Sequence, residues 1–238
     1  MQTELVRVEL KYRLSSGSAE ALIAGFRAPD RSLEVRSSWV ATAYLDLPDR
    51  RLLWGARSDP GTAIKLRVRE YFDAEGNSRS PIVWIELKEC EGNCSRKYRF
   101  PLLKTRVPKF LDGTLDTAEI LSAGQADEAV VSEAVRRIRN VAVGAVAPVG
   151  AVRYRRFSVE GGEPHARLTV DEDISYHAGS GVTLGPGLLR EQGAVAEVKY
   201  ADGPTPEWCR GLLGSRRPEE YSKFGVLARL ILSEATVA

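Results

Sequence analysis

Residues 63–71 read AIKLRVREY, and their alternation decides the fold. In an extended strand successive side chains point to opposite faces, so Ile64, Leu66 and Val68 share one face and Lys65, Arg67 and Arg69 the other. Neighbours on one face stand roughly 6.6–7 Å apart, where two unit charges repel by roughly 2.4 kcal/mol at an effective dielectric of about 20. Three cations in a row cost free energy unless something negative lies opposite them.

The same rule applies on both sides of this stretch. VRVELKYRL (6–14), SSWVATAYLDL (37–47), IVWIELKEC (82–90) and SRKYRFPL (95–102) read as strands, as do 151–159, 166–173 and 194–200. Turn chemistry separates several of them: PDR at 48–50, DAEGN at 73–77 and EGN at 91–93. Helical spacing marks SAEALIAGF (18–26) with Ser18 as its N-cap, an insertion over about 116–143, TPEWCRGLLG (205–214) closed by Gly214, and EEYSKFGVLARLILSEA (219–235). VGAVAPVG (143–150) and the Gly-rich HAGSGVTLGPGLL (177–189) read as loops. The second lacks the Lys-Ser/Thr ending of a nucleotide-binding P-loop.

Collecting the polar face of every strand gives Arg7, Glu9 and Lys11; Lys65, Arg67 and Arg69; Glu86 and Lys88; Lys97 and Arg99; Arg153 and Arg155; Arg167 and Asp171; Glu197 and Lys199. Arg96 and Arg156 fall on the opposite faces. One fragment recurs: ELK at 9–11, ELK at 86–88 and EVK at 197–199, each placing a carboxylate and an ammonium on one face. Acidic residues are otherwise concentrated in connections: Asp46, Asp49, Asp112, Asp116, Glu119 and Asp127.

This segregation matters because the overall charge hides it. The 238 residues are 43% hydrophobic and 28% charged, and 34 basic against 32 acidic residues leave only +2. Composition alone therefore names no polyanionic partner, and no nucleic-acid recognition motif is present. No run approaches the roughly 18–20 apolar residues of a membrane span. The expectation is a soluble, cytoplasmic protein of one domain over 1–238, any membrane attachment coming from a partner protein. Cys90, Cys94 and Cys209 are too few for a disulfide framework, and the Cys90–Cys94 half-site finds no second pair for zinc. His165 and His177 read as surface imidazoles near strand ends, and Asp171 and Asp173 as strand-end turn residues. Trp39, Trp54 and Trp84 read as packing residues, with Trp84 the exception that falls on the charged face.

Such strands meet the charge problem by curling into a closed barrel with a wet, cationic interior, a site for a multiply charged anion. Forked guanidinium groups suit phosphate oxygens. Glu9, Glu86 and Glu197 then pair with lysines or hold a divalent cation that bridges to phosphate.

The fragments ELKYRL, AYLDLPDRRLLWG, KLRVREY, WIELKE, SRKYRF, VRYRRF, ARLTVDEDI, AVAEVKY and EEYSKFGVLARL run, in order, along nearly the whole chain. Together they resemble the VTC (vacuolar transporter chaperone) domain, the polyphosphate polymerase branch of the triphosphate tunnel metalloenzymes in the CYTH-like superfamily. The resemblance implies an α+β fold, mainly antiparallel: an eight-stranded closed β-barrel tunnel with surrounding helices and a C-terminal closing helix. It implies transfer of the terminal phosphoryl group of ATP to inorganic polyphosphate with Mn²⁺ or Mg²⁺. Carried over by position, Lys11, Arg67, Arg69, Lys88, Lys97, Arg153, Arg155, Arg167 and Lys199 match the phosphate-gripping cations. Glu197 matches the metal-binding glutamate, with Glu9 a weaker ligand, and Ser222 and Lys223 match the start of the closing helix. Lys65 and Arg99 join them by alternation alone. Arg67, Arg69, Lys88, Arg153 and Arg167 are assigned to the nucleotide phosphates, and Lys11, Lys97, Lys199 and Lys223 to the tunnel and the growing chain.

The related triphosphatases open with a Glu-x-Glu-x-Lys strand, whereas this chain has Arg7-Val8-Glu9-Leu10-Lys11. Replacing the first glutamate by arginine favours polymerase over hydrolase. The alternatives are a tunnel-fold triphosphatase or polyphosphatase acting on ATP or another triphosphate, and a non-catalytic polyphosphate-binding module. The SPX domain and membrane helices that eukaryotic relatives carry have no counterpart in these residues.

Overall fold

The structure, a computed structural model, describes residues 7–27, 34–59, 61–78, 80–91, 94–121, 128–161, 166–180, 183–201 and 203–234. The strands are β1 (Arg7–Leu14), β2 (Arg36–Asp46), β3 (Lys65–Phe72), β4 (Ile82–Glu91), β5 (Cys94–Leu103), β6 (Ala147–Gly161), β7 (Ala166–Ser180), β8 (Thr183–Arg190) and β9 (Ala194–Ala201). The helices are α1 (Ser16–Phe26), α2 (Arg51–Ser58), α3 (Val107–Leu111), α4 (Thr117–Leu121), α5 (Glu128–Val141), α6 (Glu207–Leu213) and α7 (Lys223–Glu234). Among the described residues no helix is long and apolar enough to cross a membrane.

The strands form one antiparallel, nine-stranded sheet in the order β1-β9-β7-β6-β2-β3-β4-β5, with β8 attached to β7 alone. The sheet curls until its ends meet. Lys88 on β4 reaches Glu9 on β1 at 3.0 Å, although these strands lie near opposite ends of the order. Among the described residues no backbone ladder joins β5 to β1, so the expected complete closure is replaced at this seam by side-chain ion pairs.

Two apolar clusters pack the outside of the curl, and the first continues to its inner face at α7. One packs the outward residues of β2–β5, such as Leu66, Val68, Ile85, Leu87 and Phe100, against α5 and its neighbours. The other packs Tyr12, Leu14, Phe157, Leu168, Val170, Ala196 and Val198 against Leu22, Ile23 and Phe26 of α1 and Cys209 and Leu213 of α6. The amphipathic stretch at 128–141 is thus a helix because its apolar stripe, Val131, Ala134, Val135 and Ile138, has a sheet to bury against.

Several local expectations change. Ser15 caps α1, accepting the amide of Ser18 at 3.3 Å, so Ser18 is inside the helix. Asp46 is no surface connection residue: it is fully buried and accepts the amides of Leu47, Leu52 and Leu53 at 2.8, 3.1 and 2.8 Å. It thereby caps α2, a helix hidden in the sequence because Arg50, the residue before it, takes a left-handed backbone with no cap of its own. The Gly-rich stretch is a hairpin of β7 and β8, and 147–150 belong to β6. Glycine is required at 179, where a Cβ would sit 2.4 Å from the Pro148 carbonyl oxygen. His177 bonds Gly185 O (3.1 Å) across this hairpin and Ser175 Oγ (3.0 Å) on its own strand, while His165 and, within the 116–143 stretch, Gly124 and Asp127 lie outside the described residues.

Candidate functional site

The face decided by AIKLRVREY turns inward. On β3, Lys65, Arg67 and Arg69 pair across the ladder with Lys88, Glu86 and Trp84 of β4. Those three pair in turn with Lys97, Arg99 and Pro101 of β5. Glu86 lies at the centre, fully buried. Arg67 donates to it through Nε (2.9 Å) and approaches again through an Nη (2.8 Å), Lys97 lies at 3.3 Å, and Arg69 and Arg99 stand at 3.7 and 3.9 Å. Burial by itself would raise the Glu86 carboxyl; Arg67, Arg69 and Lys97 outweigh it and hold it well below the usual carboxylate range. One carboxylate thus anchors four cations and leaves a positive surplus. The surplus shows in the lysines. Burial, with Lys88, Lys11 and Arg67 nearby, lowers Lys65 to about 8 against the opposing pull of Cys90.

The opposite wall is built from β1, β9 and β7. The register sets Glu9 against Lys199 and Lys11 against Glu197. Glu9 contacts Lys11 (3.0 Å), Lys88 (3.0 Å) and Lys199 (3.5 Å); Glu197 contacts Lys199 at 2.8 Å. Burial and the neighbouring Glu197 would raise Glu9, but Lys199, Lys88 and Lys11 prevail and hold it at about 2. Glu197 is likewise held well below its ordinary value despite burial, by Lys199, Arg156 and Lys11. Among the described residues no cluster of three or more His, Cys, Asp or Glu side chains has metal-binding geometry. Two oxygen-bearing side chains suit Mg²⁺ or Mn²⁺ only where phosphate oxygens and water complete the shell.

On β6 the sequence reading has the faces reversed. Val152, Tyr154 and Arg156 pair across β2 with Thr42, Val40 and Ser38, and Thr42 shares its face with Arg69. These residues therefore point inward, and Arg153 and Arg155 point outward. Arg153 stacks on Trp39 with its guanidinium carbon 4.5 Å from the ring centroid, and Arg155 lies 4.8 Å over Phe157. The physical reason is α7. It enters the inner face at this end, with Phe224 stacked on Tyr44 at 4.6 Å and Leu227 in the same cluster, so the inward phase of β6 is apolar before it becomes basic. Arg156 is one of the two arginines that the alternation argument placed on the opposite faces. It binds Asp171 through Nε and Nη at 2.6 and 2.8 Å. Asp171, mid-strand and fully enclosed, also takes Lys223 at 2.7 Å, so it is an interior counter-ion and not a turn residue. Asp173 keeps a turn-like role, with φ of 52° where β7 gains one residue on β6. Arg167 sits half-exposed with Glu160 at 3.2 Å.

The segment leading into α7 spans the interior. Glu219 donates its amide to Lys11 O at 2.7 Å, Lys11 Nζ donates to Tyr221 O at 2.9 Å, and Lys65 Nζ donates to Ser222 Oγ at 3.2 Å. Lys223 completes the set on Asp171, over the rings of Tyr154 and Tyr221. Tyr221 is fixed from behind by Glu191, whose Oε1 accepts the hydroxyls of Tyr221 and Tyr176 at 2.8 and 2.6 Å. Residues 219–223 thus close one end of the interior.

The structure brings together Lys11, Lys65, Arg67, Arg69, Lys88, Lys97, Arg99, Lys199, Ser222, Lys223, Glu9 and Glu197. It leaves Arg153 and Arg155 outside and adds Arg156, Glu86 and Asp171. The arrangement can bind, desolvate and align a multiply charged anion. None of its carboxylates is poised to take a proton near neutrality.

Three comparisons bear on this geometry. The family model described as the VTC domain matches residues 6–227. Comparison with curated proteins gives no match. Among solved structures, a Hippeastrum protein assigned as an adenylyl cyclase, whose dominant activity is given as triphosphatase, is similar with 17% identity over 94% of this chain and 95% of that one, at a TM-score of 0.53. A Bacillus halodurans protein assigned as an adenylate cyclase is 16% identical over 90% and 94%, and a Pyrococcus horikoshii protein 14% over 94% and 98%, each with a TM-score of 0.50. These likenesses are of fold.

Proposed function

The chain belongs to the VTC-domain family, and on that premise we propose that it is a polyphosphate polymerase, transferring the terminal phosphoryl group of ATP to an inorganic polyphosphate chain inside the curled sheet. The sheet acts as a tunnel whose seam between β5 and β1 is held by Lys88 and Glu9. The bond between the terminal phosphorus and its bridging oxygen breaks, a bond to the terminal oxygen of the chain forms, and ADP leaves.

The observation that carries this reading is the state of the carboxylates. Hydrolysis needs water to be activated, and a carboxylate near 2 that is already saturated by three lysines, as Glu9 is, makes a poor base. A chain-end phosphate is already anionic and needs no base, only alignment and charge neutralisation. Arg67, Arg69, Lys88, Lys97 and Arg156 supply the grip on the nucleotide phosphates. Lys11, Lys65, Lys199 and Lys223 line the path toward the closing segment, and Arg167 serves the rim. Glu197, with Glu9, would hold Mn²⁺ or Mg²⁺, which when bound neutralises phosphate oxygens. Lysine contacts to both carboxylates are point charges that a divalent cation can displace.

The test is ³¹P NMR of the purified protein with ATP and Mn²⁺, with and without a short polyphosphate primer. Growth of internal-phosphate signal with matching ADP is expected. Orthophosphate without chain growth would make the protein a triphosphatase, and no turnover would leave a polyphosphate-binding module.

A further inference from the structure

Trp84 is an inward side chain that the phosphate reading leaves unused. It is half-buried on a wall that is otherwise ionic, opposite Arg69 on one side and Pro101 on the other. The Arg99 guanidinium lies 4.5 Å from its ring centroid. A packing role accounts for it poorly, because the apolar residues of β4, Val83, Ile85 and Leu87, all lie on the outer face. Arginine stacked on an indole is a planar, cationic platform, the kind of surface on which bases stack irrespective of their identity.

Its position also suits a ligand: Arg99, the other half of the stack, keeps 45% of its side chain exposed. Inward residues on the β3–β4 ladder form three levels: Trp84 with Arg69, Glu86 with Arg67, and Lys88 with Lys65. Two steps of roughly 6.6–7 Å separate the first level from the third. An extended nucleoside triphosphate covers that distance from its base to its terminal phosphate.

We infer that the Trp84–Arg99 stack is a base subsite. The substrate is a nucleoside triphosphate and not bare tripolyphosphate, with its base at the Trp84–Arg69 level and its phosphates along the Glu86–Arg67 and Lys88–Lys65 levels. The inference rests on the phosphate-binding reading of the interior and adds where the base lies.

Isothermal titration with ATP and with inorganic tripolyphosphate, both with Mg²⁺, tests it. The intact protein should bind ATP about tenfold more tightly than its phosphate moiety alone would allow, judged by loss in Trp84→Leu, since stacking on one aromatic side chain is worth about that factor. Trp84→Leu should lose that factor for ATP, keep tripolyphosphate within about twofold, and regain ATP affinity as Trp84→Phe. An equal loss for both ligands would make Trp84 structural and overturn the subsite. Should Trp84→Leu not fold, the intact protein decides alone: saturation transfer from protein to the adenine protons of bound ATP supports the subsite, and its absence while ATP competes with tripolyphosphate overturns it. An intact protein that binds neither ligand would overturn the phosphate reading itself.

Discussion

The fragment Glu-Leu-Lys at 86–88 and its near copies at 9–11 and 197–199 have the same local chemistry and different fates. Glu86 is fully enclosed and gripped by the fork of Arg67, with Arg69, Lys97 and Arg99 around it. Glu9 and Glu197 keep 19% and 14% of their side chains exposed, and their direct partners are lysines. A guanidinium fork fixes a carboxylate in place, whereas an ammonium on a flexible stem releases it at little cost. One wall therefore spends its carboxylate on holding cations together, and the other keeps two that can exchange partners. Sequence pattern is equal at the three sites; the neighbouring strands make the difference.

The strongest way to break this comparison is Glu86→Gln. It strands a group of enclosed cations without a counter-charge, and losing one partner of a buried ion network costs about 3–5 kcal/mol. Chemical denaturation should show a loss of that order, partly recovered by millimolar tripolyphosphate. A loss under about 1 kcal/mol would mean that the cluster does not depend on Glu86. Glu197→Gln should do the reverse. Metal-dependent turnover should fall about a hundredfold or more, as expected when a metal ligand is lost, while the melting temperature stays close to that of the unmodified protein. Near-normal turnover would remove Glu197 from the metal role.

Most of the fold was legible because alternation is a local property. β1, β3, β4 and β5 lie within a few residues of their expected bounds, and the cations of β3, β4 and β5 share one face as expected. What alternation cannot supply is which of two phases faces in. VRYRRF carries arginine in both phases, and the decision belongs to Phe224 and Leu227, more than sixty residues away, which make the inner phase begin with Val152 and Tyr154. Asp46 follows the same rule, since its partners include amides of α2, whose own preceding residue, Arg50, carries no side-chain cap. A paired substitution sharpens this point. Arg156→Ala should weaken tripolyphosphate binding about tenfold or more, the value of a charged hydrogen bond. Arg153→Ala should change it less than about twofold, the scale of a half-exposed contact. The opposite ranking in a titration would return the inward face of β6 to the phase first read from the sequence.

The smallest effect separates the two walls by pH. On the Glu86 wall Lys65 is drawn down to about 8, first by burial and then by Lys88, Lys11 and Arg67. Lys97 is drawn to about 7 by burial, against Glu86 and with Arg99, Arg67 and Arg69, although water on its 42% exposed side chain softens that pull. Lysine is charged below its pKa and neutral above it, so raising the pH through 7 to 9 removes positive charge from this wall. On the other wall Lys199 is shifted the opposite way: burial lowers it, but Glu197 and Glu9 outweigh that and keep it charged throughout this range. ATP affinity should therefore fall severalfold from pH 7.5 to 9, where its terminal phosphate is already ionised. A bound anion favours the charged lysines, so binding at pH 8 should take up protons, read as a dependence of the titration heat on the ionisation enthalpy of the buffer. Lys65→Arg, which cannot lose its charge in this range, should flatten most of that dependence. If proton uptake persists unchanged both in Lys65→Arg and in Lys97→Arg, the titrating group lies off this wall, and the two walls do not differ in the way their carboxylates imply.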